Sequence, residues 1–271
     1  MPRALGLAVL FADAIGPESG GSPNAGDTHT LWIIVLIIAL IVLIGVEGLL
    51  LYTVIRFRAR KHRMAAQIHG NTRLEIGWTV GAGLIVVALT IVAFISLPGI
   101  QDPEKSGPQI SLAGAAVASV NPPKVPGGKQ LRIDVNGQQY VWRFTYPDGT
   151  YSYTEMVVPA GEAVVLRIRG QDVDHSWWIP KLGGKFDAVP GYTNSTWFKI
   201  PGRLAGTTFR GQCAELCGRN HANMLARVRV VSAPAFKQWL ASKKAQINAA
   251  NKDSAAAAPL LSPLPARPGN R

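Results

Sequence analysis

The sequence predicts a two-helix transmembrane hairpin followed by a small all-β domain. Three observations predict it: two long apolar runs in the first hundred residues, period-two alternation after Lys129, and a tight group of cysteine, histidine and methionine residues where the alternation ends. A hydrophobic content of 48% in 271 residues is high for a chain wholly in water, and the two runs hold the excess.

Residues 31–55 are apolar apart from Glu47 and a few neutral polar side chains, and residues 76–97 carry no charge. Each run satisfies the requirement of roughly 20 apolar residues for a spanning helix. Glu47, costly to expose to lipid, is expected to face a protein partner. Between the runs, residues 56–63 hold Arg56, Arg58, Arg60, Lys61 and Arg63, whereas the residues before 31 carry Asp13, Glu18 and Asp27 against Arg3 alone. The positive-inside rule therefore makes the connecting loop cytoplasmic and places everything after the second span outside. The expected location is the bacterial inner membrane, multi-pass, with the N-terminus and the β domain in the periplasm.

Residues 1–30 read as a periplasmic arm. Within it, residues 1–14 resemble a cleaved signal peptide, with a basic start, a short apolar run and an Ala12-Asp13-Ala14 ending, and a retained arm is the alternative. Residues 98–128, rich in Pro, Gly and Ser, read as a linker. The β domain is placed at 129–232. Leu131, Ile133 and Val135 alternate with Arg132 and Asp134, Asn136-Gly137 is a turn signal, and Val164, Leu166 and Ile168 and then Ala226, Val228 and Val230 repeat the alternation. Many short strands in about a hundred residues mean a sandwich or barrel. Residues 233–246 set Phe236, Trp239 and Leu240 at helical spacing, and residues 247–271, Ala-rich with four prolines from Pro259 on, are expected to be a disordered tail.

A net charge of +12 would ordinarily suggest nucleic acid or an anionic membrane. Here the cytoplasmic loop and the tail hold much of the excess, and no nucleic-acid motif accompanies them.

Chemistry concentrates in Cys213-Ala-Glu-Leu-Cys217-Gly-Arg-Asn-His221-Ala-Asn-Met224, with His175 upstream in Asp174-His175-Ser176-Trp177-Trp178. Two thiolates, two imidazoles and a thioether select soft copper, and the thioether argues against zinc. A disulfide would leave His175, His221 and Met224 unexplained. One blue-copper ion needs one thiolate, so the second cysteine suggests two coppers bridged by both sulfurs.

With Asp172-Val-Asp-His175-Ser-Trp177, Lys185-Phe-Asp-Ala-Val-Pro-Gly191 and Gly211-Gln-Cys213 through Met224, the chain resembles subunit II of the haem-copper cytochrome c oxidases over residues 30–240. The resemblance implies a cupredoxin-like Greek-key barrel and a dinuclear copper centre, CuA, with ligands at His175, Cys213, Cys217, His221 and Met224 and at the backbone carbonyl of Glu215. It also implies that the Glu215 side chain helps bind magnesium at the boundary with subunit I, and that Glu75 marks a proton pathway entrance. Implied partners are subunit I, subunit III and a cytochrome c or another c-type cytochrome donor. The family's electron-receiving tryptophan aligns with Tyr140, while Trp142 matches a second tryptophan whose more common role is packing. The docking surface is thin in acid, because residues 129–232 hold eight Asp/Glu against 13 Lys/Arg. Asp148, Glu155, Asp172 and Asp174 are the candidates for a negative patch.

Three alternatives are less consistent with the sequence. A quinol oxidase subunit II would lack the ligands. Nitrous oxide reductase would need a large further domain and no hairpin. A copper-delivery or assembly protein would not need Glu75.

Overall fold

A computed structural model of the chain describes residues 16–58, 67–102 and 130–257. The signal-peptide stretch, residues 59–66 of the basic loop, nearly all of the linker and the tail from residue 258 lie outside the described residues. The chain divides into two compact units, one helical and one β.

In the helical unit, α1 (Pro23–Arg56) and α2 (Thr72–Gln101) are both long and apolar enough to cross a membrane. At 1.5 Å per residue each exceeds the ~30 Å hydrocarbon thickness. Both extend past the expected spans. α1 begins inside the expected arm because Pro23, at the first helical position, is already fixed at a helical φ and has no N–H to leave unpaired. α2 runs through Pro98, where the linker was expected to begin, and a last turn closes when Asp102 N–H donates to the Pro98 carbonyl at 2.9 Å. The start of α2 is capped on both sides: Asn71 Oδ1 accepts from Leu74 N–H at 3.2 Å, and Glu75 Oε1 accepts from Asn71 N–H at 3.3 Å. Glu47 lies exposed on α1.

The β unit is the expected all-β, cupredoxin-like domain, built as two five-stranded sheets. The first has the order β3-β2-β1-β5-β8, with β1 (Leu131–Gln138), β2 (Val141–Thr145), β3 (Tyr151–Tyr153), β5 (Ala163–Gly170) and β8 (Asn194–Lys199). The second has the order β4-β10-β9-β6-β7, with β4 (Glu155–Pro159), β6 (His175–Trp178), β7 (Phe186–Ala188), β9 (Thr208–Cys213) and β10 (Leu225–Val231). Pairs β1/β5 and β4/β10 are parallel, so the chain crosses between sheets. The alternation read in the sequence is the burial pattern: Ile133, Val135, Phe144, Leu166, Ile168, Val228 and Val230 are fully buried, while Arg132, Arg227 and their like face out.

Two sequence expectations fail here. Asn136-Gly137 does not turn the chain, since β1 continues to Gln138 and the turn lies at Gln139-Tyr140. Gly137 is instead where side chains close in: a Cβ there would stand 2.9 Å from His175 Cδ2 and 3.0 Å from Trp142 Cζ3. The C-terminal helix, α3 (Ala233–Ala257), does not stop at 246. Alanine is the strongest helix former and no proline intervenes before Pro259, so the helix continues into the expected tail. Its first turns bury Phe236 and Leu240 against the β unit.

Candidate metal centre

The Cys213–Met224 loop joins β9 to β10, adjacent antiparallel strands. Cys213 N–H donates to the Met224 carbonyl at 2.8 Å, so the two ends of the loop are held side by side. β6 flanks β9 with Trp177 opposite Cys213, which carries His175 to the same end of the sheet. Sequence-distant donors therefore converge because three neighbouring strands end together.

The spacing of donor atoms is close. Cys213 Sγ lies 3.9 Å from Cys217 Sγ and 3.9 Å from His175 Nδ1. Cys217 Sγ lies 3.5 Å from His221 Nδ1 and 3.8 Å from Met224 Sδ. The Cys213 thiol also donates to the Glu215 carbonyl at 3.3 Å, which aims that oxygen at the cluster, while the Glu215 side chain is exposed. One donor atom each from His175, Cys213 and Cys217 falls within 4.8 Å of the others. His175, Cys213, Cys217 and Met224 are buried and His221 is half-buried. Both cysteines are free. Every expected side-chain ligand is thus at one place, and the donor set, soft sulfur with imidazole, fits copper.

Protonation follows from the surroundings. His175 Nε2 lies 2.9 Å from Asp172 Oδ1, so the ring donates there and keeps the Nδ1 lone pair for a metal. Burial raises the Asp172 carboxyl, but the Gln139 N–H, His175 and the Val173 N–H together outweigh it and hold the group below the usual carboxylate range. Burial, followed by the neighbouring Cys213, pushes the Cys217 thiol up to about 11. A metal bound there must therefore displace a proton from Cys217.

The remaining candidates separate. Trp142 is fully buried, with its ring 5.9 Å from that of His175 and edge-on to it. Tyr140 is half-buried over the loop, where a Cβ on Gly218 would meet its hydroxyl at 2.7 Å. Glu75 belongs to the helical unit and takes no part in the cluster. The four acids proposed as a patch do not act together: Asp148 pairs with Lys244 at 3.6 Å and Glu155 with Arg229 at 2.9 Å, leaving Asp172 and Asp174 near His175. Sequence reading assigned no role at the cluster to Gln139 or Gly218, took Gly137 for part of a turn, and saw Asp172 as part of a motif and as a surface charge but not as the partner of His175. The Asp-x-x-His spacing before a ligand was the available signal for Asp172.

Comparison with known proteins finds relatives for both parts of the chain. Residues 151–231 match cytochrome c oxidase subunit II, periplasmic domain, and residues 12–98 match its transmembrane domain. The chain is 30% identical over 264 residues to cytochrome c oxidase subunit 2 of Cereibacter sphaeroides, covering 83% of this chain and 78% of that one. It is 30% identical to the probable cytochrome c oxidase subunit 2 of Rickettsia bellii, covering 89% of each. Among solved structures, the periplasmic domain of subunit II of cytochrome oxidase of Bradyrhizobium japonicum is 34% identical, covers 44% of this chain and 97% of that chain, and gives a TM-score of 0.41. Two apolar helices matched to a transmembrane domain, and a His-Cys-Cys group able to hold copper, are what such a subunit requires, and the chain belongs to the cytochrome c oxidase subunit II family.

Proposed function

We propose that this chain accepts single electrons from a c-type cytochrome on the periplasmic face and hands them to the haem of subunit I, in an oxidase that reduces oxygen to water and pumps protons. The observation that carries the reading is the convergence of Cys213, Cys217, His175, His221 and Met224 within one buried cluster. Copper held as a pair by these five side chains and the Glu215 carbonyl would supply reversible one-electron redox chemistry. The protein holds the donors on a short loop between paired strands and orients His175 through Asp172, so little need move when charge changes. The exposed Glu215 carboxylate suits magnesium at the boundary with subunit I, since oxygen donors favour that ion. Subunit III completes the proposed assembly.

The test is copper content and electron paramagnetic resonance of the purified full chain. Two coppers sharing one unpaired electron are expected. One copper with a four-line pattern would sink the dinuclear assignment, and rapid release of copper to a mild chelator would favour a delivery protein.

Tyr140 is proposed as the electron-receiving residue. Its ring covers the loop at Gly218, and Tyr140→Phe preserves that surface. Tyr140→Ala is expected to slow electron transfer from the cytochrome by more than the roughly fivefold that ~1 kcal/mol of lost rim affinity represents. Stopped-flow reduction at saturating cytochrome checks this, and an unchanged rate would place electron arrival elsewhere.

Glu75 is proposed as the proton pathway entrance. Its carboxylate also caps α2, a role worth about 0.3–1 kcal/mol near a helix start. Glutamine keeps an accepting oxygen but loses the negative charge and the ability to take up and release a proton. Glu75→Gln should therefore slow proton-coupled turnover while the copper spectrum and first electron transfer stay intact. Equal turnover with a lowered melting temperature would leave capping as the whole role.

A further inference from the structure

We propose that Gln139 is a positioning residue that latches the metal loop to the first sheet and, through Asp172, fixes His175 with the same few atoms. The inference rests on the copper-site reading above and adds a residue outside the ligand set.

Gln139 reaches the centre by two arms. Its side-chain Nε2 donates to the Cys217 carbonyl at 2.6 Å, 78 residues away in sequence. Its backbone N–H donates to Asp172 Oδ2 at 2.8 Å, and Asp172 Oδ1 holds His175 Nε2 at 2.9 Å. One residue between β1 and β2 thereby joins both halves of the ligand set, the upstream histidine and the cysteine loop.

The loop needs such a tether. Ala214 N–H is held by the Ser176 carbonyl at 2.9 Å, and the chain is next caught by a main-chain bond only at Gly218, whose carbonyl accepts from His221 N–H at 3.1 Å. Between them, among the described residues, Glu215, Leu216 and Cys217 form no main-chain hydrogen bond to either sheet, and Leu216 is 77% exposed. Two side chains hold this tip, the Cys213 thiol at the Glu215 carbonyl and the Gln139 amide at the Cys217 carbonyl, and only the second reaches it from the first sheet. Gly218 makes room for it: φ is +124° there, and a Cβ would stand 2.9 Å from Gln139 Nε2 and 2.7 Å from the Tyr140 hydroxyl. Without the amide, the Cys217 peptide itself has no hydrogen bond to either sheet among the described residues, and bonds that orient ligands typically change metal affinity 10–100-fold.

The test compares the wild-type full chain with Gln139→Ala, with Gln139→Asn, which is too short to reach the carbonyl, and with Gln138→Ala. Gln138 is the exposed end of β1 and serves as the neighbour control. In metal-free protein, the reaction of Cys213 and Cys217 with an aromatic disulfide reagent should quicken about tenfold in both Gln139 variants. It should stay at the wild-type rate in Gln138→Ala, with the melting temperature unchanged in all. In copper-loaded protein, loss of metal to a chelator should quicken by a similar factor, and the hyperfine pattern should change in the Gln139 variants alone. Thiol and copper-loss rates within twofold of wild type in Gln139→Ala would overturn the latch, as would equal acceleration by Gln138→Ala. If the wild type takes up no copper, the proposed function fails while thiol reactivity still decides the latch. If it takes up two and Gln139→Ala is indistinguishable, the function stands and the latch falls.

Discussion

Cys217→Ser is expected to abolish the shared-electron spectrum outright and leave at most one weakly held copper. Cys217 Sγ is the hub of the cluster, within 3.9 Å of Cys213 Sγ, His221 Nδ1 and Met224 Sδ together. A serine hydroxyl at that point is a hard donor that keeps its proton at neutral pH, so it can neither bridge two soft ions nor replace the thiolate charge. Met224→Leu should do far less, because a thioether would be the weakest donor of the set, and its main effect would be a shift in reduction potential. Copper analysis and paramagnetic resonance on the two variants separate these cases. Retention of two coppers and a shared electron in Cys217→Ser would remove the bridging role.

The largest loss of stability is expected at Tyr146, which no reading of the sequence singled out. Its hydroxyl both donates to the Val157 carbonyl at 2.9 Å and accepts from the Val157 N–H at 2.8 Å, so one side chain satisfies a buried peptide on both sides. Burial raises its pKa well beyond the ordinary phenol range, so the hydroxyl stays neutral and able to donate. Its ring meets Trp239 at 5.1 Å and Phe236 at 6.0 Å, which fastens α3 to the β unit. Tyr146→Ala should lower stability by about 3–5 kcal/mol, the range for deleting a buried aromatic. Tyr146→Phe keeps the ring contacts and strips the hydroxyl that pairs with the Val157 peptide, so its loss should be smaller than that of alanine, about 1–3 kcal/mol. Denaturant midpoints of the metal-free chain measure both, and a Tyr146→Phe variant as stable as wild type would mean that water satisfies Val157.

What was legible in the sequence follows from the range of each interaction. Alternation along β1, β5 and β10 and the apolar length of α1 and α2 are local patterns, and they were read correctly as strands and spans. The convergence of the candidate ligands was legible because four of the five side chains lie within one loop and their chemistry is unusual. Gly137 was misread because Asn-Gly is a turn signal locally, while the need for glycine there comes from His175 and Trp142, packed from elsewhere in the chain. Gln139 and Tyr146 were invisible for the same reason: their partners, Cys217 and Val157, are set by tertiary pairing that no period reports. The end of α3 was lost to a compositional rule, since low apolar content argues against a packed core but not against a helix rich in alanine.

All five proposed side-chain ligands hang from the second sheet or its β9–β10 loop, whereas Gln139 and Tyr140 form the turn between two strands of the first sheet. In the proposed function, the second sheet holds the metal and the β1–β2 turn of the first sheet carries the electron-receiving residue. Under the proposed function, a lineage can exchange one electron donor for another by substitutions around the β1–β2 turn and leave the coordination chemistry untouched. An aromatic residue other than tryptophan at Tyr140 is a change of that kind. The hydrogen bond from Gln139 to Cys217 is where this freedom ends, because a residue chosen to suit a new donor must still hold the old loop.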